Sequence, residues 1–571
     1  MVKEAIECLM KFRIIYMIKI MIDFIIKKFI SIWINLNSYW LFRWLRINFR
    51  YYFYLKNNLS NQLNNNNLKK VKSKPYNILV PIIETSHYQV YQILIIAKAL
   101  ELRGVKIYIL LCDSFLPACE IKSIKNSNQL DNCLECRFNR NKLLPLFNFQ
   151  TLYLSEFINK DKRDSIYNLS NEIINNNPKE YIYDNIDIIP IVNDGVTRYY
   201  YGNITNGNNK NFLNIKKQNI ISTLIGLEVA KNINDTISVD SVMSNMSTYS
   251  PFAPYYRYFK LKGIKFNTIN YSTWDYNSIR FNLIDYYNSN DRFNNYLKYL
   301  KRKTLLANEK EDLYNILNKR FSGSLSINKD DKWFDDNQEL IKSLKIDSNK
   351  RNILLPSNVH WDKGLDEVSG LFDNVIDWVI TTIKIVKQNE NVHLYIKPHP
   401  AEKLFGGEYS KGIIDIINEN FNKLPKNVTI IPYEYKISPY KLFSLIDVGV
   451  LFSGTLGIEM MLNKIPVILT GSAPYSEIGL VNKPISLNDY AKLLFGEVAL
   501  VKPKFSDIEM FSYFLFKKTL IPWNLTKKAF GDDFKGYSIK HLNELEEGQN
   551  KYLDHLCDCI LNKNKVPESW E

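Results

Sequence analysis

The sequence lacks a long uncharged run in its N-terminal part. The longest uncharged stretch there, residues 29–42, has 14 residues and includes Asn35, Asn37 and Ser38, whereas a membrane-spanning helix needs about 20 predominantly apolar residues. The apolar stretch that starts at Ile14 is interrupted by charges, and no small-residue cleavage site follows it, which argues against a secretory signal peptide. We therefore expect a cytoplasmic protein without a transmembrane helix.

Cysteine is also scarce, with seven among 571 residues. A cytoplasmic chain with so few is not built on disulfides. Four of them nevertheless lie close together in sequence, and they could form a tetrahedral structural zinc site: Cys112, Cys119, Cys133 and Cys136. The first pair is spaced widely for a zinc ribbon, so four unpaired thiols are the alternative.

Acidic residues are scarce in residues 1–72, which hold 13 Lys and Arg but only 3 Asp and Glu and so contribute +10 of the net charge of +15. The remaining 499 residues carry +5, and they lack the basic patch or motif that a nucleic-acid binder needs. Nucleic acid is therefore not an expected partner.

Residues 1–56 have the pattern of helices that lie on a membrane. Apolar residues between positions 14 and 32 fall on one helical stripe, with charges on the other side. Farther along, Arg43, Arg46 and Arg50 share a face among Trp and Tyr side chains, which suits the headgroups of an anionic membrane surface. We expect a peripheral protein on the inner face of the cell membrane; helices packed on the protein body are the alternative.

An Asn-rich linker, residues 57–75, precedes a series of apolar runs that alternate with helical patterns. Residues 77–83 and 105–111 are predicted strands on either side of a predicted helix at 88–103, which makes a β-α-β unit with a parallel sheet. The alternation continues with strand-like runs at 186–192 and 266–269 and a helical stretch at 219–231. These patterns predict an N-terminal Rossmann-like domain over residues 76–330.

The alternation restarts at Arg351 and predicts a second Rossmann-like domain over residues 350–520, followed by a C-terminal helical extension over residues 521–571. Its predicted strands are residues 352–355, 392–396, 428–431, 446–452 and 465–469, with a helix at 372–388. The expected fold class is α/β, with two doubly wound domains facing a cleft. Ligands of such sheets bind beyond the carboxyl ends of the strands, so the residues that follow each strand are the candidates for a site.

The segment Lys397-Pro-His399-Pro-Ala-Glu402 directly follows the predicted strand 392–396. Its two prolines stiffen the turn, which would hold an ammonium and an imidazole at the edge of the sheet, where a phosphate could bind. A histidine with a purely structural role in a loop is the alternative.

A second polar turn, Ser453-Gly454-Thr455, follows the predicted strand 446–452 and precedes a predicted helix over residues 456–462. Free backbone N–H groups at a helix start favour an anion. Glu459 lies one turn into this helix and could accept hydrogen bonds from ribose hydroxyls. An ordinary N-cap is the alternative, although it does not require Gly454 or explain Glu459.

Three motifs together resemble the second domain of bacterial capsule polysaccharide biosynthesis glycosyltransferases. They are Leu355-Pro-Ser-Asn-Val-His-Trp-Asp362, the turn from Lys397 to Glu402, and the run from Ser453 to Glu459 followed by Lys464-Ile-Pro-Val467. These enzymes belong to the GT-B group, which includes Kdo transferases; bacterial sialyltransferases and CDP-glycerol glycerophosphotransferases share the His-Pro turn. The resemblance is specific over residues 351–479 and weaker over the first domain.

The resemblance implies that a nucleotide-sugar donor, CMP-, UDP- or GDP-linked, binds the second domain and that a glycan or lipid-linked acceptor binds the first. The donor-binding residues it implies are Ser357, Asn358, Lys397, His399, Glu402, Ser453, Gly454, Thr455 and Glu459.

The base that deprotonates an acceptor hydroxyl should come from the first domain. Glu84 and His87 follow the first strand at the expected edge of the sheet, and a histidine is poised for proton transfer near neutral pH. Asp194 is a further candidate in Asn-Asp-Gly, where sialyltransferases have a doubly acidic pair before the glycine. A polar residue at the start of a helix is the alternative for His87.

No Asp-x-Asp motif occurs in the chain, so the usual metal clamp for a nucleotide diphosphate is missing. We expect catalysis without a cofactor, with the donor phosphate neutralised by Lys397, His399 and backbone amides. The alternatives are a CDP-polyol phosphotransferase, a sugar-nucleotide epimerase and a non-catalytic scaffold for assembly partners at the membrane.

Overall fold

The structure is a computed structural model, and it describes the following residues: 76–84, 89–119, 133, 136, 144, 147–200, 210–272, 278–281, 296, 304–321, 343–344, 346–361, 370–399, 401–402, 411–433, 439–526, 538–539 and 541–561. The amphipathic helices and linker predicted for residues 1–75 lie outside this set, as does His87. No helix in these ranges is long and apolar enough to cross a membrane.

The described part contains fourteen strands. In chain order they are β1 (Asn77–Ile82), β2 (Lys106–Leu111), β3 (Gln150–Tyr153), β4 (Ile182–Tyr183), β5 (Ile186–Asp187), β6 (Ser241–Ser244), β7 (Lys265–Tyr271), β8 (Ser278–Phe281), β9 (Arg351–Pro356), β10 (Val392–Lys397), β11 (Val428–Ile430), β12 (Val448–Leu451), β13 (Val467–Leu469) and β14 (Leu520–Pro522).

The α-helices of the same ranges are α1 (Gln89–Leu102), α2 (Lys160–Asn176), α3 (Ile189–Tyr199), α4 (Lys210–Ile237), α5 (Tyr249–Leu261), α6 (Ala307–Phe321), α7 (Val375–Val386), α8 (Ile413–Asn420), α9 (Pro439–Leu442), α10 (Leu456–Leu462), α11 (Leu487–Phe495), α12 (Phe505–Tyr513) and α13 (Lys551–Ile560).

The first domain is built on a seven-stranded sheet of order β14-β8-β7-β6-β1-β2-β3. Its strands β3, β2, β1, β6 and β7 are all parallel, which is the Rossmann order with a switch point between β1 and β6. Five of the six residues of β1 are buried, because helices cover both faces of a parallel sheet. The predicted β-α-β unit is confirmed.

The second domain repeats this order in a five-stranded parallel sheet, β11-β10-β9-β12-β13. Its switch point lies between β9 and β12. Helix α7 starts at Asn374, whose side chain accepts a hydrogen bond from the Asp377 amide at 2.9 Å, and it buries Trp378 and Val379 in the core of this domain. The predicted α/β fold class with two doubly wound Rossmann-like domains is confirmed.

The C-terminal part of the chain returns to the first domain. Strand β14 pairs antiparallel with β8, and α13 packs on α1, where Arg103 forms an ion pair with Asp554. The first domain is therefore completed by residues that follow the second domain in sequence.

One predicted strand is wrong. Residues 186–192 form only the two-residue strand β5, which pairs with β4, and the rest of the run belongs to helix α3. Pro190 lies in the first turn of α3, where a proline is tolerated. The apolar run is buried on one face of this helix, which has the same composition as a buried strand.

Candidate functional site

The polar residues of the second domain gather at the carboxyl ends of three neighbouring strands. Ser357 and Asn358 follow β9, Lys397 ends β10, and Ser453 follows β12. These strands are adjacent in the sheet. The side-chain amide of Asn358 donates a hydrogen bond of 3.4 Å to the backbone carbonyl of Ser453, which connects the two sides of the switch point. The structure therefore brings together residues that the sequence placed after separate strands and that were predicted to bind a donor.

Lys397 is buried, with 9% of its surface exposed. Burial lowers the pKa of its ammonium from 10.5 to about 8. Within the described residues, its side chain has neither an ion-pair partner nor a hydrogen-bond partner. A buried cation without a carboxylate is costly, and an anionic ligand would offset that cost.

His399 is exposed at the end of the turn that follows β10. Its Nδ1 accepts a hydrogen bond of 3.1 Å from the Ala401 amide, so in the neutral ring the proton is on Nε2. The surrounding protein lowers the pKa of His399 by desolvation; Glu402 opposes this change and the Lys397 charge adds to it. The ring is therefore neutral near pH 7 and offers an N–H donor beside the buried ammonium.

The Glu402 side chain connects this turn to neighbouring segments of the second domain. One oxygen, Oε2, accepts a hydrogen bond of 2.9 Å from the Ile413 amide and another from the Tyr433 hydroxyl. The other, Oε1, lies 3.9 Å from Nδ1 of His360, whose side chain is 2% exposed. Glu402 is itself 4% exposed, and its contacts hold the turn that carries His399; the donor contact predicted for it stays a prediction.

The turn after β12 depends on Gly454, which has a φ of +106°. The Tyr475 hydroxyl donates a hydrogen bond of 2.7 Å to the Gly454 carbonyl and fixes the turn. Thr455 precedes α10 but makes no side-chain capping bond, and α10 is seven residues long. Ser453, Gly454 and Thr455 are half-buried at the switch point.

Glu459 has no exposed surface. Its Oε1 accepts a hydrogen bond from Arg320 of α6, and its Oε2 accepts one of 2.9 Å from the Tyr440 hydroxyl. The sequence prediction that Glu459 receives ribose hydroxyls is therefore corrected. The ion pair of Glu459 with Arg320 connects α10 to α6, so Glu459 has a structural role.

The candidate base Glu84 lies two residues beyond β1, next to the first switch point, and is 1% exposed. Asp194 is half-buried on helix α3 rather than after a strand. Close packing explains why a glycine follows Asp194: a Cβ at Gly195 would lie 2.1 Å from Oδ1 of Asn219 on α4.

The first domain also carries polar residues that the sequence analysis missed. Asn245 and Ser247 are buried after β6, and Tyr249 follows with a positive φ of +63°. The Arg198 guanidinium lies 5.5 Å from the centre of the Tyr249 ring. Asn245 and Ser247 follow β6, and Glu84 follows β1 on the other side of the switch point. The sequence analysis missed them because β6 is too short and too polar to be recognised as a strand.

The four clustered cysteines are all half-buried, and none forms a disulfide. Burial raises the pKa of the Cys112 thiol; backbone hydrogen bonds oppose this change and Cys133 adds to it. In the part of the chain that the structure describes, no group of three or more His, Cys, Asp or Glu is placed to hold a metal ion. The structural zinc stays a prediction, and metal analysis of the purified protein would test it.

Neither a protein family model nor a curated protein sequence matches the chain. Among solved structures it is similar to two Thermosulfurimonas dismutans KpsC enzymes: the β-Kdo 2,7 transferase, with 11% identity and a TM-score of 0.29 over 50% of this chain and 79% of that one, and the β-Kdo 2,4 transferase, with 12% identity and a TM-score of 0.28 over 54% and 88%.

A glycosyltransferase from Rickettsia africae is similar at 13% identity, with a TM-score of 0.24 over 86% of this chain and 99% of that one. Values this low assign neither a family nor an activity, so the function has to be argued from the site.

Proposed function

We propose that the protein is a glycosyltransferase that moves a sugar from a nucleotide-sugar donor to a lipid-linked or growing surface polysaccharide. The donor phosphate lies at the carboxyl ends of β9, β10 and β12, and the acceptor lies on the first domain. The observation that carries this proposal is the buried ammonium of Lys397, which has no anionic partner among the described residues.

The second domain supplies the leaving-group side of the reaction. The bond between the anomeric carbon and the phosphate oxygen breaks, and its electron pair goes to that oxygen. Lys397 and the Nε2–H of His399 stabilise the growing negative charge, together with backbone N–H groups around Gly454. With these donors in place, no metal ion is required for catalysis.

The first domain supplies the acceptor side. The acceptor hydroxyl oxygen bonds to the anomeric carbon and loses its proton to Glu84 or His87. Glu84 is buried beside the switch point of the first sheet, which suits a base that works away from bulk water.

Thermal unfolding with a panel of CMP-, UDP- and GDP-sugars tests the donor site. A ligand at 100 times its Kd adds about 2.7 kcal/mol of stability, and we expect one nucleotide class to do so with the wild type but not with Lys397→Met. Stabilisation of the wild type by polyol-linked CDP compounds, but not by nucleotide-sugars, would favour the phosphotransferase alternative. No response to any nucleotide would contradict the proposal.

We also propose that residues 1–56 hold the enzyme on an anionic membrane surface, as their charge pattern predicts. Replacing Arg43, Arg46 and Arg50 by serine in the full chain should weaken binding to phosphatidylserine vesicles, because each basic residue near the surface contributes about 1 kcal/mol. Unchanged co-sedimentation would contradict this assignment.

A further inference from the structure

His360 is a buried histidine at the edge of the candidate site. Its side chain is 2% exposed, and neither ring nitrogen has a hydrogen-bond partner among the described residues. Nδ1 lies 3.9 Å from Oε1 of Glu402, which is too far for a hydrogen bond. Because buried polar groups are almost always hydrogen-bonded, this imidazole calls for a partner that the described residues do not supply.

Three more polar atoms close to His360 are in the same state. They are Oγ of Ser357, Oδ1 of Asn358 and Oε1 of Glu402, all of them buried and, within the described ranges, without a hydrogen-bond partner. Ser357, Asn358 and His360 fall within four consecutive positions directly after β9. We call these three residues and Glu402 the β9-end cluster.

Contacts connect the β9-end cluster to the turns on both sides of β9. The Ser357 amide donates a hydrogen bond of 2.9 Å to the carbonyl of Lys397 at the end of β10. On the other side, the Asn358 side chain donates to the Ser453 carbonyl after β12, and a Cβ at Gly454 would lie 3.8 Å from its Nδ2. The cluster therefore borders both turns to which the donor phosphate is assigned.

The unused hydrogen-bonding capacity of the β9-end cluster is mainly that of an acceptor. Oδ1 of Asn358 can only accept a hydrogen bond, and the Ser357 hydroxyl can accept one. With its proton on Nδ1, beside the Glu402 carboxylate, the His360 imidazole has Nε2 as an acceptor. Phosphate oxygens are acceptors too, so they do not match these atoms, whereas hydroxyl groups bring the O–H donors that do.

We propose that the β9-end cluster binds hydroxyl groups of the donor, with Nε2 of His360 and Oδ1 of Asn358 accepting hydrogen bonds from them. The inference rests on the proposed function, since it needs a nucleotide-sugar at the neighbouring turns. Glu459 is not available for this role, because its oxygens accept from Arg320 and Tyr440. A nucleotide-sugar has neighbouring hydroxyls on its ribose and on the transferred sugar, and the experiment has one arm for each.

Nucleotides that lack one hydroxyl test the ribose. CMP, UDP and GDP are titrated into the wild type beside their 2′-deoxy counterparts. For the nucleotide that binds, the 2′-deoxy form should bind about three- to tenfold more weakly, because a buried acceptor loses its O–H donor. This preference for the ribonucleotide would assign the cluster to the ribose.

The matching nucleotide-sugar tests the transferred sugar. If the sugar rather than the ribose occupies the cluster, the 2′-deoxynucleotide binds as well as the ribonucleotide, and the nucleotide-sugar binds about three- to tenfold more tightly than the free nucleotide. Equal affinities in both comparisons would overturn the inference, as expected if buried water fills these hydrogen bonds. Failure of every nucleotide to bind would overturn the proposed function and this inference with it.

A matched pair of histidine variants links the preference to the cluster. His360→Phe should abolish the hydroxyl preference without lowering stability, because no described residue loses a hydrogen bond. His393, 7% exposed on β10 of the same sheet, has its Nε2 2.8 Å from Oγ1 of Thr429. His393→Phe should therefore lower stability and keep the preference. Equal preferences in the two variants would contradict the role of His360, and the comparisons in the wild type hold whether or not either variant folds.

Discussion

At the scale of single residues, Lys397 links stability to function. Its pKa falls from 10.5 to about 8 on burial, so keeping it charged at pH 7 costs the folded protein about 3 kcal/mol. We predict that Lys397→Met raises the free energy of unfolding by up to this amount and abolishes nucleotide binding. Urea unfolding and calorimetric titration measure the two effects. A variant that is less stable than the wild type and still binds nucleotide would contradict the anion-site assignment.

The same residue predicts a pH dependence. Above about pH 8 the folded protein loses the Lys397 proton while the unfolded chain keeps it up to about 10.5, so wild-type stability rises with pH in this window. The advantage of Lys397→Met should therefore disappear between pH 8 and pH 10.5. Nucleotide affinity should fall over the same range, because the anion needs the charged ammonium. Affinity that is constant through pH 9 would show that Lys397 is not the phosphate ligand.

At the scale of the turns and helices, Gly454 is tested against a matched glycine. A Cβ at Gly454 has space, the nearest atom being Nδ2 of Asn358 at 3.8 Å, so only its φ of +106° opposes a side chain. Gly548 has a φ of +89° and nothing within 4 Å. Alanine at either position should cost about 1–2 kcal/mol of stability, but only Gly454→Ala should lose nucleotide affinity. Equal affinities would remove this turn from the donor site.

Breaking the Arg320–Glu459 pair should lower the stability of the protein without changing its nucleotide affinity. Glu459→Gln leaves the Arg320 guanidinium, 16% exposed, without its buried counter-charge, which should cost about 3–5 kcal/mol. Glu419→Gln breaks an exposed pair with Lys411 and should cost under about 1 kcal/mol. Nucleotide affinity of folded Glu459→Gln should equal that of the wild type. A loss of affinity without a loss of stability would restore the ribose contact predicted from sequence.

The sequence predicted β1, β2 and β7 of the first sheet and all five strands of the second, because strands covered on both faces are continuous apolar runs. It missed the parallel strands β3 and β6, which have only four residues each. It could not separate residues 186–192 from a strand, since a short apolar run has the same composition in a buried helix. Strand β14 could not be predicted, because it is three residues long and joins β8, which lies more than 200 residues earlier.

At the scale of the whole molecule, the sequence predicted which strand ends form the candidate site but not the contacts of all its residues. In a Rossmann-like sheet, residues that follow different strands lie at the same edge. This rule predicted that Lys397 and Ser453 lie at one edge, as they do in the structure. The structural role of Glu459 depends on Arg320, 139 residues away. Contacts between distant segments leave no local pattern, so this correction required the fold.

The division of labour between the two domains is the central claim. His399 offers its Nε2–H to the donor phosphate from the second domain, and Glu84 serves the acceptor from the first. The two residues should therefore fail differently when they are replaced. His541, an exposed histidine away from the strand ends, provides a matched control.

Isothermal titration of the stabilising nucleotide, followed by turnover of the same preparations, tests this claim most directly. His399→Ala should lower nucleotide affinity by roughly one to two orders of magnitude, whereas His541→Ala should not change it. Glu84→Gln should keep wild-type affinity and lower turnover by about 10²- to 10⁴-fold. Equal nucleotide affinity in His399→Ala and the wild type would contradict the account, because the turn after β10 would then be only a rigid corner of the fold.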